Sequence, residues 1–509
     1  MHKHFLTIAL ALFAAVAAAQ TPQHIRLEPL RNEKWWGLFS ERGPATPFVS
    51  PFGEGTADSC VRRTPPFMVS SLGRIMWCAD PVEVRFDGKA FDLVPTGTAP
   101  VIEKGGRTLR EAYLYGVHKY AWTQNAPSTG LPFTFLYDTG LAAVPTATDS
   151  EGLLAAADTL AARGYPAGIL LVADGWQDPT GKGCFDRNLY DDFGRTSDEL
   201  ARRGFGLMFT VTPAIPAAGH RYVEARREGL LLTDSNGEPI VSHTPSGYYA
   251  YLDLAAPQAV RYMEEQLTLL KAEGATALRF EALPHAGIPE CDRRTTTCAE
   301  AWAELAEHSG AAMLPLSPHA PAQWRPHSIA LSPEISWESM RHALSDAINA
   351  GLTGHIYPYL SLASSAGECS DELLLRAAQL ALFMPLAAVP ADESLLASPA
   401  RREALRRTVA RRMELNDYME ELFRETSATG EPLMRHMEYQ FPGQGFWNCT
   451  DQYMLGPRYL IAPVLDDTGK RTVRLPRGTW TAPDGTRYKG PRVINVDVRD
   501  GAFPLFRLK

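Results

Sequence analysis

At 509 residues the chain exceeds what one hydrophobic core organises, and its 45% hydrophobic and 21% charged content is that of a protein folding into several compact domains. The 50 Lys and Arg against 58 Asp and Glu give a net charge of −8. No basic run is interleaved with aromatics, which excludes nucleic acid as a partner.

The chain begins with His2, Lys3 and His4, an apolar run from Phe5 to Val16, and Ala17-Ala18-Ala19 before Gln20. This pattern predicts a signal peptide over residues 1–19 and an exported protein, periplasmic or secreted. No later stretch holds about eighteen uninterrupted apolar residues, so no membrane span is expected. An oxidising compartment permits disulfides among the seven cysteines. Cys291 and Cys298, which flank a polar loop, are the best single pair, and the odd count leaves at least one thiol over. None has Cys-x-x-Cys or His-x-x-His company, so no structural zinc is expected.

Residues 20–131 carry short alternating runs broken by turn residues, among them Phe67 to Ser71, Arg74 to Cys78, and Val82 to Phe86 followed by Asp87-Gly88. These predict an antiparallel β-sandwich. Trp35 and Trp36 near its start either fill its core or stack on a sugar ring, and core packing is the preferred reading. Over residues 132–397 helical segments alternate with apolar runs, at Gly168 to Val172, Gly206 to Val211, Thr276 to Phe280 and Ser328 to Leu331. This alternation predicts a parallel (β/α)8 barrel. Residues 398–430 read as one long charged helical segment on the barrel's outside, and residues 431–509 return to short strands. The fold class is therefore multidomain α/β: a central (β/α)8 barrel flanked by an N-terminal β-sandwich and a smaller C-terminal β-sandwich.

Several barrel strands end in polar residues, and side chains at the C-terminal ends of such strands line the active-site mouth. Glu281 follows the run Thr276 to Phe280 in this way. It is either a chemical group or the partner of Arg279 in an ion pair that closes the rim. Two carboxylates on separate strands with aromatics between them suit glycoside hydrolysis, with one as nucleophile and the other as acid and base.

Near the C-terminus, Asp451-Gln452-Tyr453-Met454-Leu455-Gly456-Pro457, Leu460 to Leu465, Arg474 to Trp480 and Phe503-Pro504-Leu505-Phe506 form an ordered set that resembles the C-terminal part of glycoside hydrolase family 31. Val172 to Gln177, Asp198-Glu199-Leu200, Tyr251 to Leu254 and Leu278 to Glu281 fall where that family's barrel motifs fall. Glu33 to Gly37 and Thr108 to Ala112 look like its secreted bacterial branch. The resemblance implies a retaining, exo-acting α-glycosidase that takes an oligosaccharide or glycan and needs no metal or organic cofactor. It places Asp174 as the acid gripping hydroxyls of the terminal sugar and Glu281 at the nucleophile position. Trp176, Gln177, Arg279 and Trp337 are the accompanying substrate-binding candidates. No motif addresses the oligomeric state.

The chain also departs from the family. The family's nucleophile is an aspartate, and glutamate moves the carboxylate by roughly 1.5 Å. Where the family has Arg and Asp before a helix-opening Trp, this chain has Ser332-Pro333-Glu334-Ile335-Ser336-Trp337. Glu334 is the nearest candidate acid and base, or alternatively a helix-start residue favoured by the dipole. An expected Asp followed by glycines is replaced by Tyr359 to Ser365. The alternative to hydrolysis is a catalytically impaired relative that binds glycans in the same cleft.

Overall fold

The computed structural model describes residues 24–37, 48–49, 63–64, 67–79, 82–95, 98–121, 134–139, 149–172, 176–178, 185–217, 219–244, 247–281, 292–310, 312–315, 326–330, 334–362 and 369–509. The barrel is built from eight parallel strands: Phe135–Asp138, Gly168–Val172, Gly206–Val211, Ala277–Phe280, Ala312–Pro315, Pro326–Ala330, Tyr357–Ser361 and Ala388–Pro390. They neighbour one another in chain order. The eighth pairs back onto the first, with Leu136 opposite Ala388, and a parallel bridge joins Tyr359 to Leu386. The sheet is thus closed and has no edge to protect. Gly168–Val172 and Tyr357–Ser361 are buried along their whole length, as strands are when helices cover one face and side chains fill the other.

Helices return the chain between strands, each started by its own chemistry. Asp149 caps Ser150–Ala162 and Asp192 caps Phe193–Arg202, each side chain accepting a first-turn N–H. Pro257 opens Pro257–Ala272. After the third strand an excursion folds as a three-stranded antiparallel sheet, Ala214–Pro216, Gly247–Tyr251 and Val241–Thr244. The segment read as one long charged helix is two, Pro399–Met413 and Asn416–Thr429, because the chain turns at Glu414 and buries Leu415 between them.

The N-terminal part pairs a four-stranded with a five-stranded antiparallel sheet. Lys34–Gly37 explains how it attaches, since successive strand residues face opposite ways. Trp35 enters the sandwich core with Met68, Met76, Val84 and Phe91, while Trp36 joins Phe67, Val69 and Ile75 in the cluster continuous with the barrel. Both tryptophans are core residues, as preferred from the sequence. The C-terminal part is a six-stranded antiparallel sheet whose long hairpin, Lys470–Thr481 with Arg487–Asp497, has a register irregularity between Leu475 and Gly478. Its core gathers Met454, Leu460, Val473, Leu475, Trp480 and Phe506.

Buried ions tie the parts together. Glu431 takes Arg110 from the N-terminal side, the Tyr439 hydroxyl at 2.7 Å and Arg435 at 3.8 Å. Arg376, on the helix after the seventh barrel strand, donates to the carbonyls of Ala502 and Val498 in the C-terminal part.

Candidate active site at the barrel mouth

The fourth barrel strand sets the site. Phe280 points outward and packs edge-on against Trp302 with ring centroids 4.6 Å apart. Trp302 Nε1 in turn donates to the Glu281 carbonyl at 2.9 Å, and the Glu281 N–H donates to the Val211 carbonyl at 3.0 Å. The backbone of Glu281 is therefore clamped from both sides.

Arg279 faces the opposite way. Its Nη1 donates to Ser361 Oγ on the seventh strand at 3.3 Å, and because those strands are not neighbours, that bond crosses the barrel interior. Side chains alternate along a strand, so Glu281, two residues on, faces inward as well. Its carboxylate lies 3.8 Å from Arg279 Nη2 with 45% of the side chain exposed. The first and seventh strands continue the polar array: Tyr359 donates its hydroxyl to Asp138 Oδ2 at 3.3 Å. Burial, and then the Asp138 carboxylate beside it, push the Tyr359 phenol well above its usual value, so it stays a donor. Thr210, opposite Arg279 in register, has a buried Oγ1 with no hydrogen-bond partner among the described residues.

Trp176 is only 4% exposed; its ring packs among Phe185 and Phe209, and its Nε1 donates to the Thr210 carbonyl at 3.1 Å. As placed it serves the barrel wall. Gln177 forms an antiparallel bridge with Phe185. Glu334 is exposed, between the sixth strand and the helix Trp337–Gly351. That helix opens later than the Ser332-Pro333-Glu334 reading supposes. Ser336 and Ser339 bond each other's backbone N–H in a capping box, which leaves Glu334 outside the first turn. The Glu334 carbonyl accepts from Ser339 Oγ at 2.8 Å. Trp337, the first helical residue, is half-buried against the barrel core. Asp174 and Cys291 lie outside the described residues.

Asp138, Thr210, Tyr359 and Ser361 were not singled out as site residues in the sequence. Asp138 carries the signal that identified Glu281, an acid closing an apolar run. Among the described residues no group of three or more His, Cys, Asp or Glu is arranged to hold a metal, and no helix is long and apolar enough to cross a membrane. An inward carboxylate at a barrel mouth, beside a guanidinium and hydroxyl donors, can grip a polyhydroxylated ligand and attack an electrophilic carbon.

Residues 137–288 match the glycosyl hydrolases family 31 TIM-barrel domain, and residues 430–507 match the glycosyl hydrolase family 31 C-terminal domain. The chain belongs to glycoside hydrolase family 31. It is 25% identical over 362 residues to lysosomal alpha-glucosidase of Mus musculus, a match covering 58% of this chain and 38% of that protein. It is 29% identical over 203 residues to 1,3-alpha-isomaltosidase of Kribbella flavida, covering 36% and 28% respectively. The chain thus spans well under two-thirds of these relatives' lengths. Among solved structures, a family 31 alpha-xylosidase from a soil metagenome, complexed with xylose, superposes with a TM-score of 0.76 at 20% identity, covering 96% of this chain and 79% of that one. A family 31 dextranase of Flavobacterium johnsoniae, complexed with glucose, gives 0.78 at 17% identity, covering 96% and 66%. These superpositions bear on the fold, a barrel with flanking sheet domains.

Proposed function

We propose that the chain is an exported, retaining, exo-acting α-glycosidase in which Glu281 is the nucleophile and Glu334 the acid and base. The observation that carries this reading is the inward, half-exposed Glu281 carboxylate on a backbone fixed at both its N–H and its carbonyl. In the first step a Glu281 oxygen bonds to the anomeric carbon as the glycosidic C–O bond breaks, and the Glu334 proton passes to the leaving oxygen. Water, deprotonated by Glu334, then attacks the same carbon and releases Glu281. This course requires the two carboxyl groups to approach to about 5 Å in the substrate complex. Asp174, Gln177 and Trp337 are the further sugar contacts of the proposal. Arg279 holds the nucleophile's orientation, and Trp176 acts through the wall it packs.

One observation favours the second reading, a glycan-binding relative with impaired hydrolysis: Glu281 is within ion-pairing distance of Arg279. The longer side chain matters here too, because a misplacement of about 1 Å can cost roughly a hundredfold in rate. The two readings separate on a panel of aryl α-glycosides assayed with wild type, Glu281→Gln and Glu334→Gln. The α-glycosidase reading expects aryl alcohol release from at least one sugar, reduced at least about a thousandfold by Glu281→Gln. No release from any sugar, with binding to the same glycosides intact, would establish the second reading instead.

A further inference from the structure

Opposite the mouth, where the first and eighth strands begin and the barrel closes, a pocket of about 170 Å³ opens beneath the helix Asn416–Thr429. Phe135, Ala387 and Met419 form its apolar wall, and Arg412 lines it at only 3% exposure. The guanidinium donates Nε–H to the Leu382 carbonyl at 3.1 Å and Nη1–H to Asn416 Oδ1 at 3.3 Å, and its carbon lies 6.0 Å from the Phe135 ring centroid. Among the described residues its Nη2 makes no hydrogen bond, and no carboxylate reaches ion-pairing distance. Burial pushes its pKa down to about 10, against a smaller opposing pull from Tyr453.

A second positive feature meets the first. The helix Asn416–Thr429 starts at the pocket, and Leu415 at its N-cap supplies no side-chain acceptor for the first-turn N–H groups. Helix starts favour anions, and a guanidinium fork suits a planar carboxylate. Asp417 and Glu420, both exposed at the rim, oppose a multiply charged anion but accept hydroxyl donors. A cavity of about 150 Å³ holds a benzene ring, so this one admits a single six-membered ring.

We propose that this pocket binds a small hydroxylated monocarboxylate, up to the size of a hexuronate, with its carboxylate on Arg412 and the helix start and its hydroxyls toward Asp417 and Glu420. Binding joins the two barrel strands that close the sheet, so it raises the melting temperature of the whole chain.

The test is isothermal titration and thermal unfolding of the full chain with glucuronate, acetate, glucose and inorganic phosphate. Glucuronate is expected to bind and to raise the melting temperature, acetate to bind more weakly, and glucose and phosphate to do neither. Arg412→Met weakens glucuronate binding by about tenfold to a hundredfold. Because Arg412→Met also disturbs the barrel seam, Asp417→Lys provides a second reading on an exposed rim position: it tightens acetate and phosphate and narrows the preference for glucuronate over acetate. Two results overturn the proposal. One is no stabilisation by any carboxylate, in which case water alone hydrates the guanidinium. The other is glucuronate binding unchanged in both variants, which places the ligand elsewhere.

Discussion

Glu281 is fixed through its backbone, by Val211 and Trp302, and its carboxylate lies 3.8 Å from Arg279 Nη2. The outward Phe280 and the inward Arg279 and Glu281 follow from strand alternation, so one strand both anchors the wall and presents the acid. Trp176 shows the contrary case of a residue whose chemistry suits a sugar and whose place is in the wall. With its ring among Phe185 and Phe209 and its Nε1 bonded to Thr210, Trp176→Ala is expected to cost about 3–5 kcal/mol of stability. Urea unfolding measures that loss. A variant as stable as wild type but selectively weakened in glycoside binding would return Trp176 to the sugar subsite.

His436 shows what the elements do together. It caps the short helix Met437–Gln440, its Nδ1 accepting the Glu438 N–H at 3.0 Å, and its ring packs edge-on against Trp36 of the N-terminal sheet at 5.5 Å. Burial lowers its pKa from 6.5 to about 3. The unfolded chain therefore binds a proton below pH 6.5 that the folded chain refuses, and stability falls by roughly 1.4 kcal/mol per pH unit from 6.5 toward 3. Glu438 beside it is raised by burial, so its contribution is present at low pH and lost as pH rises through its folded value. That contribution is common to wild type and His436→Asn, which keeps a capping acceptor but does not titrate. Urea unfolding at pH 7, 6 and 5 should show a shallower acid loss in the variant, whereas parallel curves would contradict it. At this scale the sequence was partly legible. Gly168–Val172 is an uninterrupted apolar run and Gly206–Val211 is broken only by Thr210, so both read directly as barrel strands. Tyr357–Ser361 contains Pro358, and Ala388–Pro390 is three residues ending in proline, so neither carries a strand pattern, although tertiary closure makes both strands. Without those strands the inward placement of Tyr359 and Ser361 had no frame. Asp138 is hard to read from sequence because the four-residue strand Phe135–Asp138 follows a Pro-rich stretch.

Across the whole molecule, closure of the barrel brings Asp138, Tyr359 and Ser361 to the same interior as Arg279 and Glu281, though these residues are dispersed in sequence. The flanking sheets hold that closure through Trp36, Glu431 and Arg376. The proposed reaction turns on whether the Glu281 carboxylate forms the covalent bond to the anomeric carbon. The most direct measurement is mass spectrometry of the chain after reaction with a fluorinated α-glycosyl fluoride that traps the glycosyl ester, followed by peptide mapping. An added mass of one glycosyl unit on the peptide carrying Glu281, absent from Glu281→Gln, is the predicted result. Turnover with the label on another carboxylate, or with no ester formed at all, would contradict Glu281 as the nucleophile.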